Sequence, residues 1–411
     1  MTAGSVSTLF RLGARNVMRN KSRSALTAGA IGFGVMMSLL LGGFVTGLGT
    51  IMVDDVVLGK VGAIQVHLRG YDDVKENQPI HLHMPTSGAV LAKIRAVPGV
   101  TGVLPRIVLG GMINNGTSST MCIAVGADPA AEVAVLPLAR RGLVGKAIDA
   151  GAPHRGVLGF ELAHAMDVRA GSSVVLQAST VGGQQNALDL DVGGTTNNSV
   201  PFESKRMLTV PLAFAQELLQ LEGRATEFAV AVADREQIDA IATAMQASLG
   251  DAYHVQTWRE LRPAVADIVN IQKVILFSMC IVFLAIAIIG VMNTMLMSVL
   301  ERVREIGTMM AVGVRRGVIV ALFLAEALTL AALGTVAGGA MAFGCLALAR
   351  ATQFIKLTPP GSAMVAIVQP VAPPWLLGLT AVAMVLGTLA AAAYPAFRAA
   401  RLRPVEALRA T

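Results

Sequence analysis

Residues 274–300 read VILFSMCIVFLAIAIIGVMNTMLMSVL, and no Asp, Glu, Lys or Arg interrupts this stretch. A helix needs about 20 consecutive apolar residues to cross the hydrocarbon core of a bilayer. Helices in the core of soluble proteins rarely remain free of charge over such a length. The stretch therefore predicts a transmembrane helix.

Three further stretches have the same character. They lie at 24–53, at 317–349, where Glu326 is the one acidic residue, and at 375–396. The first is too long for the apolar region of a cleaved signal peptide, which spans about 7–15 residues. In the whole chain 54% of the residues are hydrophobic and 14% are charged, whereas globular proteins have about 25% charged residues. The sequence predicts an integral membrane protein with four transmembrane α-helices.

Basic residues cluster in three segments beside the predicted helices: before the first helix, between the second and third, and after the fourth. These residues are Arg11, Arg15, Arg19, Lys21 and Arg23, then Arg302, Arg304, Arg315 and Arg316, and finally Arg398, Arg401, Arg403 and Arg409. Because such clusters mark the cytoplasmic side, both termini are expected in the cytoplasm, with 397–411 as a tail and 350–374 as a short outer loop. The net charge of +7 then reflects membrane orientation, and no nucleic-acid partner is expected.

The segment 59–272 lies between the first two helices, on the predicted outer side. It contains strand patterns at Ala63–Leu68, Val103–Leu109, Met121–Val125, Ser173–Leu176, Thr226–Val232 and His254–Thr257. Helix patterns occur at Ser87–Ala96, Pro211–Leu221 and Arg235–Ser248. These patterns predict a large α+β extracytoplasmic (periplasmic) domain with a second subdomain inserted at about 128–222. Within it, Gly182–Ser199 is rich in Gly, Asn and Thr and is interpreted as a mobile loop.

The N-terminal segment 1–23 carries a stripe of arginines. Arg11, Arg15, Arg19 and Arg23 are spaced by four residues, so they lie on one side of a helix. The pattern predicts an amphipathic helix at the cytoplasmic lipid surface. An ordinary basic flank of the first transmembrane helix is the alternative, and it places the segment identically.

The segment 301–316, between the second and third helices, contains a short amphipathic pattern. Its charged residues are Glu301, Arg302, Arg304 and Glu305, and its apolar residues include Val303, Ile306, Met309 and Met310. A short amphipathic helix can dock into the groove of a partner protein. From the residues alone, a solvated loop remains open as the alternative.

Three stretches of the sequence form distinct motifs. The first comprises Asn293, Val299, Arg302, Glu305-Ile306-Gly307, Ala311 and Gly313. The second is the closing stretch 394–409, which contains Pro395-Ala396 and Pro404-Val405-Glu406-Ala407-Leu408. The third is the opening Ala14-Arg15-Asn16 with Arg19 and Lys21-Ser22-Arg23. Together these motifs resemble those of the FtsX/MacB-type ABC transporter permeases. A shorter match, Gly62–His67 followed by Gly70-Tyr71, resembles lipoprotein-releasing permeases of the LolC/LolE kind.

The resemblance implies two permease chains, identical or paralogous, bound to two cytoplasmic ATPase subunits. It implies that 301–316 is a coupling helix through which ATP-driven motion reaches the outer domain, a mode called mechanotransmission. The outer domain is then expected to comprise Porter-like and Sabre-like subdomains. The residues expected to couple are Glu301, Arg302, Val303, Arg304, Glu305, Ile306, Gly307 and Met310.

Within that coupling set, two kinds of contact with the ATPase are expected. Arg304 and Glu305 would make polar contacts, while Val303, Ile306 and Met310 would anchor the helix in the partner's groove. Gly307 would admit close approach of the partner's backbone, so a bulky residue there is expected to clash.

The sequence contains no G-x-x-x-x-G-K-[ST] phosphate-binding loop. No cofactor is therefore expected on this chain, and ATP with Mg²⁺ is expected on a partner ATPase subunit. His81 and His83 would share one face of a strand, but a metal site needs three or four ligands. Neither a metal site nor catalysis by this chain is expected.

Three features of the transmembrane helices bear on packing and cargo. Glu326 is expected to be paired within the bundle, although acidic residues inside a membrane are also candidates for a direct function. The motif Gly334-x-x-x-Gly338 permits close approach of helices, and a role in dimerisation is one hypothesis for it. On the first helix, the outer half is expected to contact the acyl chains of a cargo at Phe44, Leu48 and Ile51.

Together these expectations describe a multi-pass protein of the bacterial inner (plasma) membrane. Its predicted function is that of a permease subunit that moves or releases a lipoprotein or other hydrophobic cargo from the outer leaflet. Membrane lipids and a periplasmic carrier or adaptor are the further partners expected. One alternative is tripartite efflux of a drug, toxin or peptide. Another is a regulator that transports nothing and controls an outer hydrolase, which the size of the outer domain disfavours.

Overall fold

The computed structural model describes residues 15, 21–71, 79–197, 201–357 and 366–401. Arg11, Arg19 and the tail beyond Arg401 lie outside these described residues. The chain divides into two compact units. The helical unit takes the chain up to Gly49, Val269–Ile355 and the residues from Ile367 onward; the α/β unit takes Thr50–Ile268 and Lys356–Ala366.

The helices and strands of the described residues are numbered in chain order. The helices are α1 (Lys21–Gly59), α2 (Ala89–Ala96), α3 (Pro129–Val135), α4 (Phe160–Ala165), α5 (Pro201–Ser204), α6 (Leu212–Leu219), α7 (Ile238–Leu249), α8 (Trp258–Leu261), α9 (Pro263–Glu301), α10 (Val303–Ala311), α11 (Arg316–Thr352) and α12 (Pro374–Ala400). The strands are β1 (Ile64–Leu68), β2 (Met84–Pro85), β3 (Val100–Asn114), β4 (Ser119–Ala127), β5 (Leu143–Gly145), β6 (Arg155–Gly159), β7 (Ser173–Ser179), β8 (Gln185–Thr196), β9 (Met207–Pro211), β10 (Arg224–Ala225), β11 (Glu227–Val232), β12 (Tyr253–Thr257), β13 (Lys356–Leu357) and β14 (Ala366–Ile367).

Four helices of the described chain, α1, α9, α11 and α12, are long and apolar enough to cross a membrane. The prediction of four spans is therefore confirmed. α1 and α9 each contain 39 residues, or about 58 Å at 1.5 Å per residue, whereas the hydrocarbon core is about 30 Å thick. Both helices extend well past the charge-free stretches, because a charged side chain near a helix end leaves the backbone hydrogen bonds intact.

Glycines bring α1 and α11 into close contact. A Cβ added at Gly338 would lie 2.1 Å from the carbonyl oxygen of Gly32, and one added at Gly334 would lie 2.7 Å from that of Ala28. Only glycine leaves room for the facing backbone at these positions. The motif at Gly334 and Gly338 thus packs two helices of one chain, and this contact contradicts the hypothesis that it forms a dimer surface.

Ten strands of the α/β unit form one sheet. Nine of them follow the order β12-β1-β11-β3-β4-β9-β6-β8-β5, and β7 pairs with β3 and β8. The pairs β4–β9 and β6–β8 are parallel, while β3 and β4 form a long antiparallel pair. Because β3 extends over 15 residues, it contacts both β11 and β7 and links the two ends of the sheet.

Two main hydrophobic cores cover different parts of this sheet. In one, α2 and α7 contribute Ile94 and Met245, which pack with Phe228 of β11. α7 supplies its buried side at helical spacing through Ile238, Ile241, Ala242, Met245 and Leu249. In the other core, Phe214 of α6 packs with Leu190 of β8 and with residues of β3 and β4. The segment between β4 and β11 therefore has a core of its own, which it completes with the β3–β4 pair.

The interpretation of Gly182–Ser199 as a mobile loop is wrong. Its residues from Gln185 to Thr196 form β8, which pairs with β7 and β6. Leu190 and Val192 are buried, as the alternation of apolar and polar residues in LDLDV would require of a strand. The Gly and Asn content concealed this alternation. Gly194 belongs in the strand because a Cβ there would lie 2.4 Å from the carbonyl oxygen of Val144.

Candidate functional site

α10 is a separate element between two long helices. α9 stops at Glu301, and Arg302 takes a non-helical conformation with φ −105° and ψ 14° before α10 starts at Val303. After α10, Gly313 has a φ of +95°, a left-handed value that residues with a Cβ rarely adopt. The amphipathic pattern of 301–316 therefore forms a helix with defined ends rather than a solvated loop.

The apolar side of α10 packs against its own chain. Ile306 is 1% exposed and lies in a cluster with residues of α9, α11 and α12. The members are Val299, Ile306, Ile319, Phe323, Ala396 and Ala399. Met309 and Met310 pack against this cluster. Burying a large aliphatic side chain contributes about 1.5–3 kcal/mol, so this contact holds α10 on the helical bundle.

This packing corrects the expectation that Ile306 anchors α10 in a partner's groove, whereas Met310 is only half-buried and its role as an anchor stays a prediction. A side chain that the bundle already buries cannot also fill a pocket in another protein. Gly307 is buried as well, so a bulky residue there would disturb the chain's own packing, and Val303 is half-buried. The amphipathic pattern identified an apolar side correctly but could not say which surface covers it.

Glu326 of α11 pairs with Arg302. Nη1 of Arg302 lies 3.3 Å from Oε2 of Glu326, and the two side chains are 16% and 7% exposed. An isolated carboxylate in an apolar bundle is strongly unfavourable, and the guanidinium supplies both an opposite charge and hydrogen-bond donors. This is the pairing within the bundle that the sequence favoured for Glu326.

A second ion pair joins the start of α1 to the end of α9. Two Nη atoms of Arg23 donate to the two carboxylate oxygens of Glu301, and bidentate pairs of this kind fix geometry as well as charge. Arg23 is half-buried, so part of its side chain is engaged by this pair, and its place in the stripe at the cytoplasmic membrane surface stays a prediction. Glu301 and Arg302, which belong to the predicted coupling set, are bound to α1 and α11, and their role in coupling stays a prediction.

The opposite side of α10 faces solvent in the chain. Its exposed residues, with those directly after the helix, are Arg304, Glu305, Thr308, Ala311, Val312 and Gly313. We call this set the exposed face of α10. Val312 is 87% exposed, and charges of both signs lie beside it. Polar groups around an exposed apolar side chain are suited to a protein contact.

The remaining predicted residues have less defined surroundings. Phe44, Leu48 and Ile51 are half-buried on α1, and their spacing places them along one stripe of that helix. Arg15 is exposed. Among the described residues, no group of three or more His, Cys, Asp or Glu side chains is arranged to hold a metal ion.

Sequence reasoning missed the Arg23–Glu301 pair, for which no local signal exists. The two residues are 278 positions apart, and either side chain alone is typical of a helix end near a membrane surface. For Arg302 and Glu326, a buried acid in an apolar helix did indicate that some basic partner must exist. It did not indicate which of the basic residues supplies the charge.

Two family models match this chain. A model described as FtsX-like permease C-terminal matches residues 277–404, which include α10 and the Arg302–Glu326 pair. A second, described as MacB-like periplasmic core domain, matches residues 24–248. The second match alone covers more than half of the chain.

Parts of the chain are similar to known proteins. A macrolide export ATP-binding/permease protein MacB of Bdellovibrio bacteriovorus is 32% identical over 164 residues, or 39% of this chain and 23% of that protein. The protein of the same description from Hyphomonas neptunium is 31% identical over 206 residues, or 48% and 30%. An uncharacterized ABC transporter permease YknZ of Bacillus subtilis is 34% identical over 159 residues, or 39% and 37%. The chain thus spans less than two fifths of each relative's length.

Two solved structures also align with the chain. The extracellular domain of the transporter YknZ from Gram-positive bacteria aligns over 47% of this chain and 99% of that one, at 16% identity and a TM-score of 0.33. The periplasmic region of MacB from Actinobacillus actinomycetemcomitans aligns over 49% and 92%, at 11% identity and a TM-score of 0.34.

Proposed function

Because the chain belongs to the FtsX/MacB-type family of ABC transporter permeases, we propose that it passes the motion of an ATPase subunit to its periplasmic domain. In this proposal both termini and α10 lie in the cytoplasm, and ATP with Mg²⁺ binds to the ATPase subunit. A second copy of the chain or a paralogue completes the permease. The motion moves a hydrophobic cargo at the outer leaflet of the inner membrane.

The arrangement of α10 carries this proposal. Its apolar side is packed on α9, α11 and α12, and the residues at its start are tied to α1 and α11 by ion pairs. Its other side, the exposed face of α10, is available to a partner. Since packed interiors have low compressibility, a push on the exposed face is transmitted to the helices rather than absorbed by a flexible loop.

Two cargo classes follow from different observations. Lipoprotein release rests on the short motif Gly62–His67 with Gly70-Tyr71. Small-molecule export is supported by the names of relatives, which include macrolide export proteins and a pyoverdine export protein of Pseudomonas savastanoi, 39% identical over 140 residues. Because these relatives match longer parts of the chain, export of a small molecule is the better supported of the two, with a periplasmic adaptor as a further partner.

Charge reversal on the exposed face of α10 tests the coupling role. We expect Arg304→Glu combined with Val312→Asp to leave expression intact, because both side chains are exposed. Loss of an interface charge typically costs about 2–5 kcal/mol, so binding of the ATPase subunit should weaken at least tenfold. The amount of ATPase subunit that co-purifies with the tagged chain, and cargo transport in intact cells, are the two measurements.

Arg398→Glu is the matched control for this experiment. Arg398 is an exposed residue in the last turn of α12, so its reversal changes charge near the basic residues without altering the exposed face of α10. This control variant should bind the ATPase and transport normally. Normal ATPase binding and transport by the α10 variant would show that α10 is not the coupling element.

A further inference from the structure

A cavity of about 440 Å³ lies within the α/β unit, with walls from β3, β4, β9 and α3. This volume falls within the range of about 300–1,000 Å³ that is typical of small-molecule sites. Part of its wall is apolar and at least partly accessible, through Val108, Ile123, Val125, Leu143 and Met207. Ile123 is 37% exposed although it lies near the middle of the sheet. The cavity therefore offers apolar surface that the described part of the chain does not cover.

The charged part of the wall has more basic than acidic residues. The basic side chains are Lys60, Arg106, Arg140, Arg206 and Arg262. The acidic side chains are Glu132, Glu203 and Glu227. Desolvated positive charges concentrated in a concave site attract an anion more strongly than the same charges on an open surface. Four of these basic residues pair with carboxylates and Arg206 is exposed, so the wall carries a modest excess of positive charge.

The three acidic residues are already bound to basic neighbours. Glu203 lies 3.0 Å from Nζ of Lys60 and 3.1 Å from Nη1 of Arg262, and Glu132 lies 3.2 Å from Nε of Arg140. Burial acts to raise the pKa of Glu203, but Lys60 and Arg262 outweigh it and hold this pKa below its ordinary value. Glu203 is therefore ionised at neutral pH and fixes the two cations at the wall.

The guanidinium of Arg106 is buried in the wall of the cavity. Its side chain is 7% exposed and pairs with Glu227 of β11, which is 6% exposed, while Nη1 donates to the backbone oxygen of Lys60. The Nε–H of Arg106 is buried and has no hydrogen-bond partner among the described residues. Buried donors in folded proteins are nearly always satisfied, so an orphaned donor in the wall of a cavity is evidence for an acceptor supplied by a ligand.

We propose that this cavity binds an amphiphilic anion, a small molecule with an apolar body and one carboxylate, phosphate or sulfonate group. The apolar body packs against Ile123, Val125 and Met207, and the anionic group lies among Arg106, Arg206 and Arg262. The proposal goes beyond the coupling role, because binding here needs neither the ATPase subunit nor ATP. If these ion pairs served only to hold two parts of the α/β unit together, no cavity would be needed beside them.

Two fluorescent probes of the same shape test the proposal. The anion is 1-anilinonaphthalene-8-sulfonate, and N-phenyl-1-naphthylamine has the same rings without the sulfonate. Each is titrated against the full chain in lipid nanodiscs, and the signal of empty nanodiscs is subtracted. We expect saturable binding of the anion. Arg206→Gln should weaken it about tenfold, since a hydrogen bond to a charged group is worth about that factor, without affecting the neutral probe.

Arg95→Gln is the matched control, because Arg95 is an exposed residue of α2 that does not line the cavity. Ile123→Asp should weaken both probes, since it alters the apolar wall. Arg206 is exposed, so its substitution leaves folding intact, which circular dichroism checks. The proposal is overturned if the anion shows no saturable binding above empty nanodiscs. It is also overturned if Arg206→Gln and Arg95→Gln bind the anion equally well.

Discussion

The start of α10 and the cavity of the α/β unit both contain ion pairs between residues far apart in sequence. The surroundings of the ion pairs differ between the two regions. At α10, Arg302 and Glu326 lie beside a cluster of packed apolar side chains. In the α/β unit, Arg106 and Glu227 are buried equally well, yet they border an open volume. The difference indicates that the role of a charge pair cannot be inferred from its burial alone. Its role depends on whether packed side chains or an open volume lie next to it. Beside packed side chains a pair holds helices together, and beside a cavity it presents charge to a ligand.

The largest expected effect is that of Arg302→Ala. The substitution removes the cation that hydrogen-bonds the buried carboxylate of Glu326, and removing one member of a buried pair costs about 3–5 kcal/mol. We expect this loss in the free energy of unfolding of the detergent-solubilised chain. The double variant Arg302→Gln with Glu326→Gln should recover most of it, because no buried charge is then left unpaired.

Arg23→Ala is the contrasting variant in this experiment. Arg23 and its partner Glu301 are more exposed, with 29% and 42% of their side chains accessible, and exposed pairs contribute little. A loss for Arg23→Ala as large as that for Arg302→Ala would contradict the distinction drawn here between the two pairs. The start of α1 would then hold the α9–α10 junction as strongly as α11 does.

Adding one methyl group to the helical bundle, and one to the wall of the cavity, gives the next effect in size. Gly338→Ala places a Cβ against the backbone of Gly32, and overpacking of this kind costs about 1–3 kcal/mol. Val108→Ile adds the same volume to the wall of the cavity, where space is available, and should be neutral. Thermal unfolding of the two variants compares them directly. Gly344→Ala, on the same helix with nothing within 4 Å, should not destabilise the chain, and equal losses for all three variants would contradict the comparison.

The smallest expected effect is on the acid side of the stability curve. The pKa of Glu203 lies below its ordinary value of 4.5 because Lys60 and Arg262 outweigh burial. Its contribution to stability is thus fully present above about pH 4.5 and is lost as the pH falls through the lowered pKa. We therefore expect Glu203→Gln to flatten the loss of stability below this pH.

For Glu132, stability is expected to change with pH in the opposite direction. Burial raises its pKa despite Arg140, so the folded state favours the protonated form and stability falls as the pH rises through the raised pKa. Glu132→Gln should remove that fall. The pH dependence of stability of both variants is measured by the fluorescence of Trp258 in the α/β unit, in a Trp375→Phe background. If both variants shifted the curve in the same direction, the assigned balance between burial and ion pairing at one of them would be wrong.

Much of the fold could be predicted because the signals were local. The absence of charge over 274–300 identified a spanning helix, and the apolar spacing around Ile306 identified α10. Composition misled at Gly182–Ser199, where glycines required for close strand contact resembled the residues of a loop. Long-range partners could not be predicted at all. Nothing near Glu301 indicates that Arg23 binds it, and nothing near Arg106 indicates that it borders a cavity.

The junction between α9 and α10 restricts how two other helices can separate. Glu301 holds α1 and Arg302 holds α11, and the Cα atoms of consecutive residues are always about 3.8 Å apart. At this end, the two helices are therefore held within a distance set by two side-chain pairs and one peptide unit. They can slide or tilt within that distance, but they cannot part at this end until one ion pair has broken. The weaker, more exposed pair to α1 is then the one that gives way first.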